Sequence, residues 1–308
     1  MRPVWSGRPV TVRVPATSAN LGPGFDSLGL ALTLHDHVTA RVTTAGLDVQ
    51  VTGFGTETAS AGEQHLVVRA MRAAFDVLGS QPAGLAISCQ NAIPHGFGLG
   101  SSAAAIVSGL LAAGALIEAD GRAALPGSAL LPLAIELEGH PDNVAACLLG
   151  GLTIAWQPSL GPPDATRLEP AAGLGPVVCV PSVPLSTKIA RQALPAQVPH
   201  PDAAANSART ALLIAALTGR PDLLLAGTED FLHQRYRAAS MPATAALVER
   251  LRAAGVAAVV SGAGPSVLAF AASAAAVATV AELATGNWEV LALHVDRSGA
   301  QVVVAPAS

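Results

Sequence analysis

The sequence predicts an α+β protein, and three observations support this class. Strand-like segments dominate residues 1–60, and long helical segments follow them. Later strands and helices alternate without the strict β-α-β order of a doubly wound parallel sheet. Hydrophobic residues make up 51% of the 308 residues and charged residues only 12%, so the chain has ample material for a packed core.

Runs of β-branched and aliphatic residues predict the elements of the first half. The expected strands are 10–14, 28–32, 37–43, 47–52 and 85–89. Helices are expected at 65–78, at 101–117 and at 130–138, where Pro132 would lie in the first turn. A short helix should follow, with Asp142 as its N-cap and Gly150-Gly151 as its end.

The segment 157–175, "QPSLGPPDATRLEPAAGLG", is rich in proline and glycine and predicts a domain boundary. The expected division is an N-terminal domain at 1–160 and a C-terminal domain at 161–308. In the second domain strands are expected at 177–180, 257–260 and 267–271, and a helix and two strands should end the chain.

Composition excludes several classes of partner. A net charge of -4 provides no basic surface for nucleic acid. The longest apolar runs are interrupted before they reach the length of a membrane span, and the first residues lack the apolar stretch of a signal peptide. Cys89, Cys147 and Cys179 are odd in number and widely spaced, which favours a reducing compartment. The sequence therefore predicts a soluble cytoplasmic protein.

The stretch "PHGFGLGSS", residues 94–102, predicts an anion site. Alternate glycines let successive N–H groups point into one concavity, and the helix beginning at Ser101 adds free N–H groups. A Walker-type loop is excluded because its lysine is missing; Lys188 is the only lysine in the sequence. A phosphate would have to be held by backbone, hydroxyls and a metal ion. The alternative is a plain glycine-rich turn capped by serine.

A magnesium ion would need hydroxyl and carboxylate oxygens. Ser102 could supply the hydroxyl, and "ELEGHPDNV", residues 136–144, offers three acids. From the residues alone this acidic cluster could equally be a solvated helix end.

Three segments together resemble the GHMP kinase superfamily: "PATSANLGPGFD" at 15–26, the glycine-rich loop, and "SGAGPS" at 261–266. With "HPDNVA" and "TKIAR" the chain most resembles the homoserine kinase family within it. The resemblance implies an N-terminal domain like ribosomal protein S5 and a ferredoxin-like C-terminal domain. It also implies ATP-dependent phosphorylation of the L-homoserine hydroxyl with Mg²⁺, on the route to threonine, with homodimer formation left open.

The resemblance assigns roles residue by residue. ATP would contact His65, Pro94, Gly96, Phe97, Gly98, Leu99, Gly100, Ser101, Ser102, Ala103 and Ala104. Homoserine would contact Asn20, Asp26, His140, Arg191 and Arg237. The catalytic residues would be Asn143, His140, Arg191 and Thr187. The metal would be held by Ser102 and Glu138, with Glu136 in reserve, and Gly262 and Gly264 would be structural.

Three further questions follow from the resemblance. The enzymatic alternative is another GHMP kinase of the mevalonate or sugar type, and the non-enzymatic one is a ligand sensor.

The position of a general base is taken by Asn143, a neutral amide that can orient a hydroxyl but cannot accept its proton. We therefore expect catalysis without a dedicated base, and Asp142 is expected to serve as a helix cap and not as that base.

Overall fold

The computed structural model describes residues 4–118 and 127–303. Its strands are β1 (Val4–Trp5), β2 (Val10–Ala19), β3 (Leu28–Thr43), β4 (Gly46–Gly53), β5 (Gly84–Asn91), β6 (Ile117–Glu118), β7 (Leu152–Trp156), β8 (Asp164–Leu168), β9 (Pro176–Pro181), β10 (Ala258–Val260), β11 (Val267–Phe270), β12 (Trp288–Ala292) and β13 (Gln301–Val303). Its helices are α1 (Leu66–Val77), α2 (Ser101–Ala115), α3 (Gly127–Glu138), α4 (Pro141–Leu149), α5 (Thr187–Gln192), α6 (His200–Thr218), α7 (Leu224–Gly227), α8 (Gln234–Arg237), α9 (Pro242–Ala253) and α10 (Ala274–Leu283). Short 3₁₀ helices lie at Thr56–Gln64, Pro221–Leu223 and Ala238–Ser240. This order confirms the α+β class.

Two sheets organise the molecule. The 7-stranded sheet has the order β13-β2-β3-β5-β4, with β7 paired to β3 and β8 paired to β7. The 4-stranded sheet has the order β10-β11-β9-β12, and β1 pairs separately with β6. The pair β4–β5 is parallel, whereas β2–β3, β3–β5 and the pairs of the smaller sheet are antiparallel. The larger sheet includes β8 and β13, which both follow residue 160 in the chain. The division at 160/161 therefore stays a prediction.

Helices cover one face of each sheet. In the N-terminal half α1 packs on α2, and α2 and α4 pack on β2. The buried positions of α1 recur at helical spacing and include Met71 and Phe75, so its apolar stripe faces this core. Alanine and valine fill much of the interior, as the composition predicts. In the C-terminal half α9 packs on β10 and β11 around a second apolar cluster.

Two further findings concern membranes and thiols. Within residues 4–118 and 127–303, no helix combines the length and apolar character needed to cross a membrane. Cys89, Cys147 and Cys179 are free thiols with buried side chains.

Two strand predictions need correction. One strand, β3, spans 16 residues where the sequence predicted separate strands at 28–32 and 37–43. Within that gap His35 and Asp36 still pair with Pro15 and Val14 of β2, and the ladder shifts register before pairing resumes at Leu32. The predicted linker 157–175 contains β8, which pairs with β7. Proline and glycine therefore mark the ends of a short strand there, and the segment is not irregular throughout.

The helices that carry the acidic motif also differ from expectation. α3 begins at Gly127, so Pro132 lies inside it and not in its first turn. The N-cap of α4 is His140, and Asp142 is the second residue of the helix, so the prediction that Asp142 caps it was wrong. Its carboxylate does accept the N–H of Asn143 at 2.8 Å. Gly150 ends α4, as predicted, with φ 69°.

A close contact sets α4 against the larger sheet. A Cβ built on Gly29 of β3 would lie 2.4 Å from the carbonyl oxygen of Asp142 and 2.8 Å from the Ala146 side chain. No side chain fits in that space, so glycine lets the helix approach the strand. This approach fixes the height of the first turn of α4 above the sheet.

Candidate active site

The three motifs found in the sequence meet at one place through direct hydrogen bonds. The Ser261 hydroxyl donates to the carbonyl of Gly98 at 2.7 Å. The Gly262 N–H donates to the carbonyl of Ala19 at 3.1 Å, and the Thr17 N–H donates to the carbonyl of Leu99 at 3.0 Å. The end of β2, the glycine-rich loop and the 261–266 turn are therefore one connected structure.

The glycine-rich loop has the geometry that its sequence predicts. Gly96, Gly98 and Gly100 have φ values of 81°, 74° and 71°, in the left-handed region. A Cβ on Gly98 would lie 2.2 Å from the carbonyl oxygen of Ser261, so only glycine fits there. Gly100 is the N-cap of α2 and no side chain caps that helix, which leaves its first N–H groups available to an anion.

Beside this loop is a cavity of about 240 Å³ that gathers most of the predicted site residues. The predicted residues on its wall are Asn20, Gly96, Gly98, Gly100, Ser101, Ser102, Glu138, His140, Asn143, Thr187, Arg191, Arg237 and Gly262. Asp142 and Ala263 complete the wall. The glycine-rich loop, the acidic residues and the two arginines thus line one cavity.

The other predicted residues lie around this cavity. Leu99, Ala103 and Ala104 have buried side chains, so Leu99 and Ala103 would reach a ligand through backbone only. Phe97 packs on the core, Pro94 is buried, and a Cβ built on Gly264 would meet the Met241 side chain. These placements leave the predicted ATP contacts of the loop as predictions.

His65 lines a second cavity, of about 230 Å³, which shares Ser101 and Ser102 with the first. Its side chain is only 6% exposed, and its buried Nδ1 has no hydrogen-bond partner in the described structure. Burial, followed by the nearby His95, lowers the pKa of His65, which favours a neutral ring. His95 also lines this cavity; the sequence analysis passed over it although it lies within the glycine-rich loop. An unpaired ring nitrogen next to a phosphate site suits a heterocyclic base.

Ser102 and Glu138 form the pair expected at a metal site. The Ser102 hydroxyl donates to Glu138 Oε2 at 2.6 Å. Burial raises the pKa of Glu138, and the bond from Ser102 opposes that rise. Glu136 is exposed and does not line the cavity. Among the described residues no three His, Cys, Asp or Glu side chains converge, so a magnesium ion here would need oxygens from its ligand as well. The residues fit such an ion.

Asp26 and two arginines form the charged end of the site. Arg191 makes a bidentate contact with the Asp26 carboxylate, at 2.6 and 3.2 Å. The guanidinium groups of Arg191 and Arg237 lie 5.6 and 5.4 Å from the centre of the Phe25 ring. Arg237 is 1% exposed, and burial, with Arg191 second, lowers its pKa to about 10.

Asn20 has a scaffold function in this structure. Its Nδ2 donates to the carbonyl of Gly262 at 2.8 Å, and its Oδ1 accepts the N–H of Asp26 at 2.9 Å. The amide therefore holds the Asp26 loop against the 261–266 turn. A direct contact between Asn20 and homoserine stays a prediction.

His233 is a site residue that the sequence analysis missed. Its Nε2 lies 2.9 Å from the carbonyl of Gly22 and its Nδ1 lies 3.1 Å from Arg237 Nη1. A carbonyl can only accept and a guanidinium can only donate, so the ring is neutral with its proton on Nε2. Burial lowers the pKa of His233 in agreement. The available signal was "HQRYR", in which His233 precedes Arg237 by one helical turn.

Comparisons with known proteins agree with this geometry. Residues 65–151 match the family model of the GHMP kinases N terminal domain, and residues 212–288 match that of the GHMP kinases C terminal domain. A homoserine kinase of Streptomyces coelicolor is 56% identical over 301 residues, which cover 98% of this chain and 96% of that protein. The chain belongs to the homoserine kinase family. A homoserine kinase of Clavibacter michiganensis is 52% identical over 97% of this chain and 95% of its own length.

Solved structures place the fold within the same family. The homoserine kinase of Cytophaga hutchinsonii superposes with a TM-score of 0.83 at 28% identity, covering 98% of this chain and 100% of that one. A mevalonate kinase of L. major has a TM-score of 0.69 at 16% identity over 97% of this chain and 99% of its own, which shows the shared GHMP fold alone. Family and two-domain fold are thus confirmed for this chain.

The contact at Gly98 generates a prediction. In Gly98→Ala the new methyl group would meet the Ser261 carbonyl, so the loop must move by about 1 Å or more and kcat/KM for ATP should fall on the order of 10²-fold. Gly46→Ala is the matched control, because Gly46 has φ 81° but no atom within 4 Å of a built Cβ. Both variants should be compared by steady-state kinetics at varied ATP and by thermal melting. The comparison separates the effect of the steric contact at Gly98 from the effect of placing alanine at a positive φ. Equal activity of the two variants would contradict the prediction.

Proposed function

We propose that the protein transfers the γ-phosphoryl group of ATP to the side-chain hydroxyl of L-homoserine by direct in-line transfer, giving O-phospho-L-homoserine for threonine biosynthesis. One observation carries the proposal. A single cavity is lined by the glycine-rich loop and by Arg191 and Arg237, and Arg191 is paired with Asp26 next to that lining. The family identity of the chain supports the same substrate.

The charged cluster matches an amino acid substrate. Homoserine is a zwitterion, so a site for it needs an anion for the ammonium and cations for the carboxylate. Asp26 and the two arginines supply both signs, and in the present structure Arg191 satisfies Asp26 internally. Substrate would exchange this contact for two external ones. A neutral sugar carries no charge to pair with either of them.

The glycine-rich loop and the start of α2 would hold the triphosphate, and the cavity at His65 would take the base. Ser102 and Glu138 would hold Mg²⁺. When bound, the ion neutralises charge on the phosphates that develops during transfer. The cytoplasmic location stays a prediction of the sequence, and homodimer formation stays open.

The transfer itself needs little from the protein beyond position. The homoserine hydroxyl oxygen bonds to the γ-phosphorus as the bond from that phosphorus to the β–γ bridging oxygen breaks, and the bridging oxygen keeps the electron pair in ADP. The hydroxyl proton passes to an oxygen of the transferred group. A loose transition state tolerates this late proton transfer. Asn143 and His140 would align the hydroxyl. Burial is the largest of the causes that lower the pKa of His140.

The substrate assignment is tested by a coupled assay of ADP release with homoserine, mevalonate and galactose. Homoserine should be turned over and the other two should not, because neither carries an ammonium group for Asp26. Turnover of mevalonate or galactose at a similar kcat/KM would favour another GHMP kinase. Release of no ADP with any of the three, by folded protein that binds ATP, would favour a ligand sensor.

Glu138→Gln tests the metal site. Loss of a carboxylate ligand should lower kcat on the order of 10²-fold and raise the Mg²⁺ concentration needed for half-maximal rate. Glu136→Gln, on the exposed side of the same helix, is the matched control and should behave as wild type. Mg²⁺ titrations of the rate give both values. Normal Mg²⁺ dependence in Glu138→Gln with loss in Glu136→Gln would transfer the role to Glu136.

Asp142 gives a pH prediction. Burial raises its pKa from 3.8 to about 7 in the folded protein. The folded state therefore binds more protons than the unfolded state between these values, and the free energy of unfolding should fall as pH rises, by up to about 1.4 kcal/mol per pH unit. In urea denaturation at pH 5 and pH 8, Asp142→Asn should remove the Asp142 contribution to this pH dependence and leave that of Asp36, whose pKa burial raises to about 6. The variant should keep the wild-type shape of the kcat profile. An acidic limb of kcat that disappears in Asp142→Asn would make Asp142 the general base.

A further inference from the structure

Thr17 does not line the cavity but contacts two parts of the site, the glycine-rich loop and Asn143. It is on β2 and its side chain is fully buried. Its backbone N–H donates to the carbonyl of Leu99 in the glycine-rich loop at 3.0 Å. Its hydroxyl donates to Oδ1 of Asn143 at 2.8 Å. One residue thus links the loop that would hold phosphate with the amide that would align the hydroxyl.

In this bond the Thr17 hydroxyl is the donor and Oδ1 of the Asn143 amide is the acceptor. A carboxamide has an acceptor oxygen and a donor NH₂ at opposite corners. With Oδ1 turned towards Thr17, Nδ2 is the end left for a ligand, and among the described residues no protein acceptor bonds to it. The site therefore presents a hydrogen-bond donor, and no acceptor from this amide, to the reacting oxygens.

Glycine at position 100 leaves the space that this bond occupies. A Cβ on Gly100 would lie 2.0 Å from the Thr17 hydroxyl oxygen and 3.1 Å from Asn143 Oδ1. The glycine at the start of α2 thus admits the Thr17–Asn143 pair directly beneath the phosphate loop. Asn143 is further fixed by its backbone N–H, which donates to Asp142.

We propose that Thr17 is a positioning residue for phosphoryl transfer, which orients the Asn143 amide so that its NH₂ donates to the oxygens of the reacting groups. This inference rests on the proposed kinase function and deepens it. Because the NH₂ donates, the hydroxyl proton of homoserine has no acceptor at Asn143. It leaves with the transferred phosphoryl group, and the balance of the transfer step is unchanged.

Thr17→Val and Thr17→Ser form the matched pair of variants. Valine has nearly the shape of threonine but no hydroxyl, whereas serine keeps the hydroxyl and loses only a methyl group. In Thr17→Val kcat should fall about 10- to 100-fold while KM for ATP and for homoserine changes little, because orientation is lost and binding groups remain. Thr17→Ser should recover most of kcat. Equal kcat in wild type and Thr17→Val would overturn the proposal.

A double-mutant cycle separates positioning from general loss of structure. In the Asn143→Ala background Thr17→Val should have little further effect on kcat, since the group that Thr17 orients is absent. An equal loss in both backgrounds would mean that Thr17 acts on the fold and would overturn the proposal. Thermal melting of each variant accompanies the kinetics.

A readout without turnover distinguishes failure of this proposal from failure of the proposed function. In protein labelled with ¹⁵N-asparagine, the side-chain amide signal of Asn143, assigned by its loss in Asn143→Ala, should shift in Thr17→Val and stay in place in Thr17→Ser. An unchanged signal in Thr17→Val overturns the role of Thr17 whatever the substrate is. A shifted signal in a protein that leaves homoserine unphosphorylated would reject the kinase function and keep the orientation of the amide.

Discussion

The site depends on backbone-to-backbone packing at Gly98. A side chain on this residue would collide with the Ser261 carbonyl, and a Cβ on Gly262 would lie 3.1 Å from the carbonyl oxygen of Gly98. Two glycine-containing turns from distant parts of the chain therefore touch without side chains between them. The Ser261 hydroxyl, which also lies 2.9 Å from the Ser18 hydroxyl, closes the contact. In the proposed function, shape and N–H direction would hold the phosphate in place of a lysine charge.

The charged half of the site is built on a different basis. Burying Arg237 is unfavourable, as its lowered pKa shows, and the surroundings compensate with acceptors and an aromatic face. The guanidinium donates to the carbonyl of Ala190 and to the neutral ring of His233, and it lies over Phe25. A guanidinium held in this way keeps its direction when substrate arrives. Arg191, at the half-exposed rim, is the arginine that can exchange partners.

Local patterns predicted the parts of the site that are local in sequence. The glycine-rich loop and Ser102 follow from a local motif, whereas the roles of Glu138 and Arg237 follow from the family resemblance, and the structure gathers these residues in one cavity. The pairing of β8 with β7 could not be read from a proline-rich segment, because register depends on a partner strand. Thr17 and His233 act through contacts 126 and 211 residues apart in the chain, which no spacing rule reports. The prediction that Asp142 caps α4 was wrong because the helix starts one residue earlier, at Pro141. Proline suits the first helical position because an N–H there would have no partner within the helix.

The helix α4 explains how such a site can work without a base. Its first turn rests on Gly29 and is bonded to Thr17 through Asn143. Its last turn meets the C-terminal segment at Gly150, where a Cβ would lie 2.4 Å from the backbone nitrogen of Gly299. A helix fixed at both ends holds the Asn143 amide to within a narrow range of directions. Phosphoryl transfer gains chiefly from position and from neutralised charge. In the transfer proposed above, rigidity at this amide would contribute what a general base supplies in other enzymes.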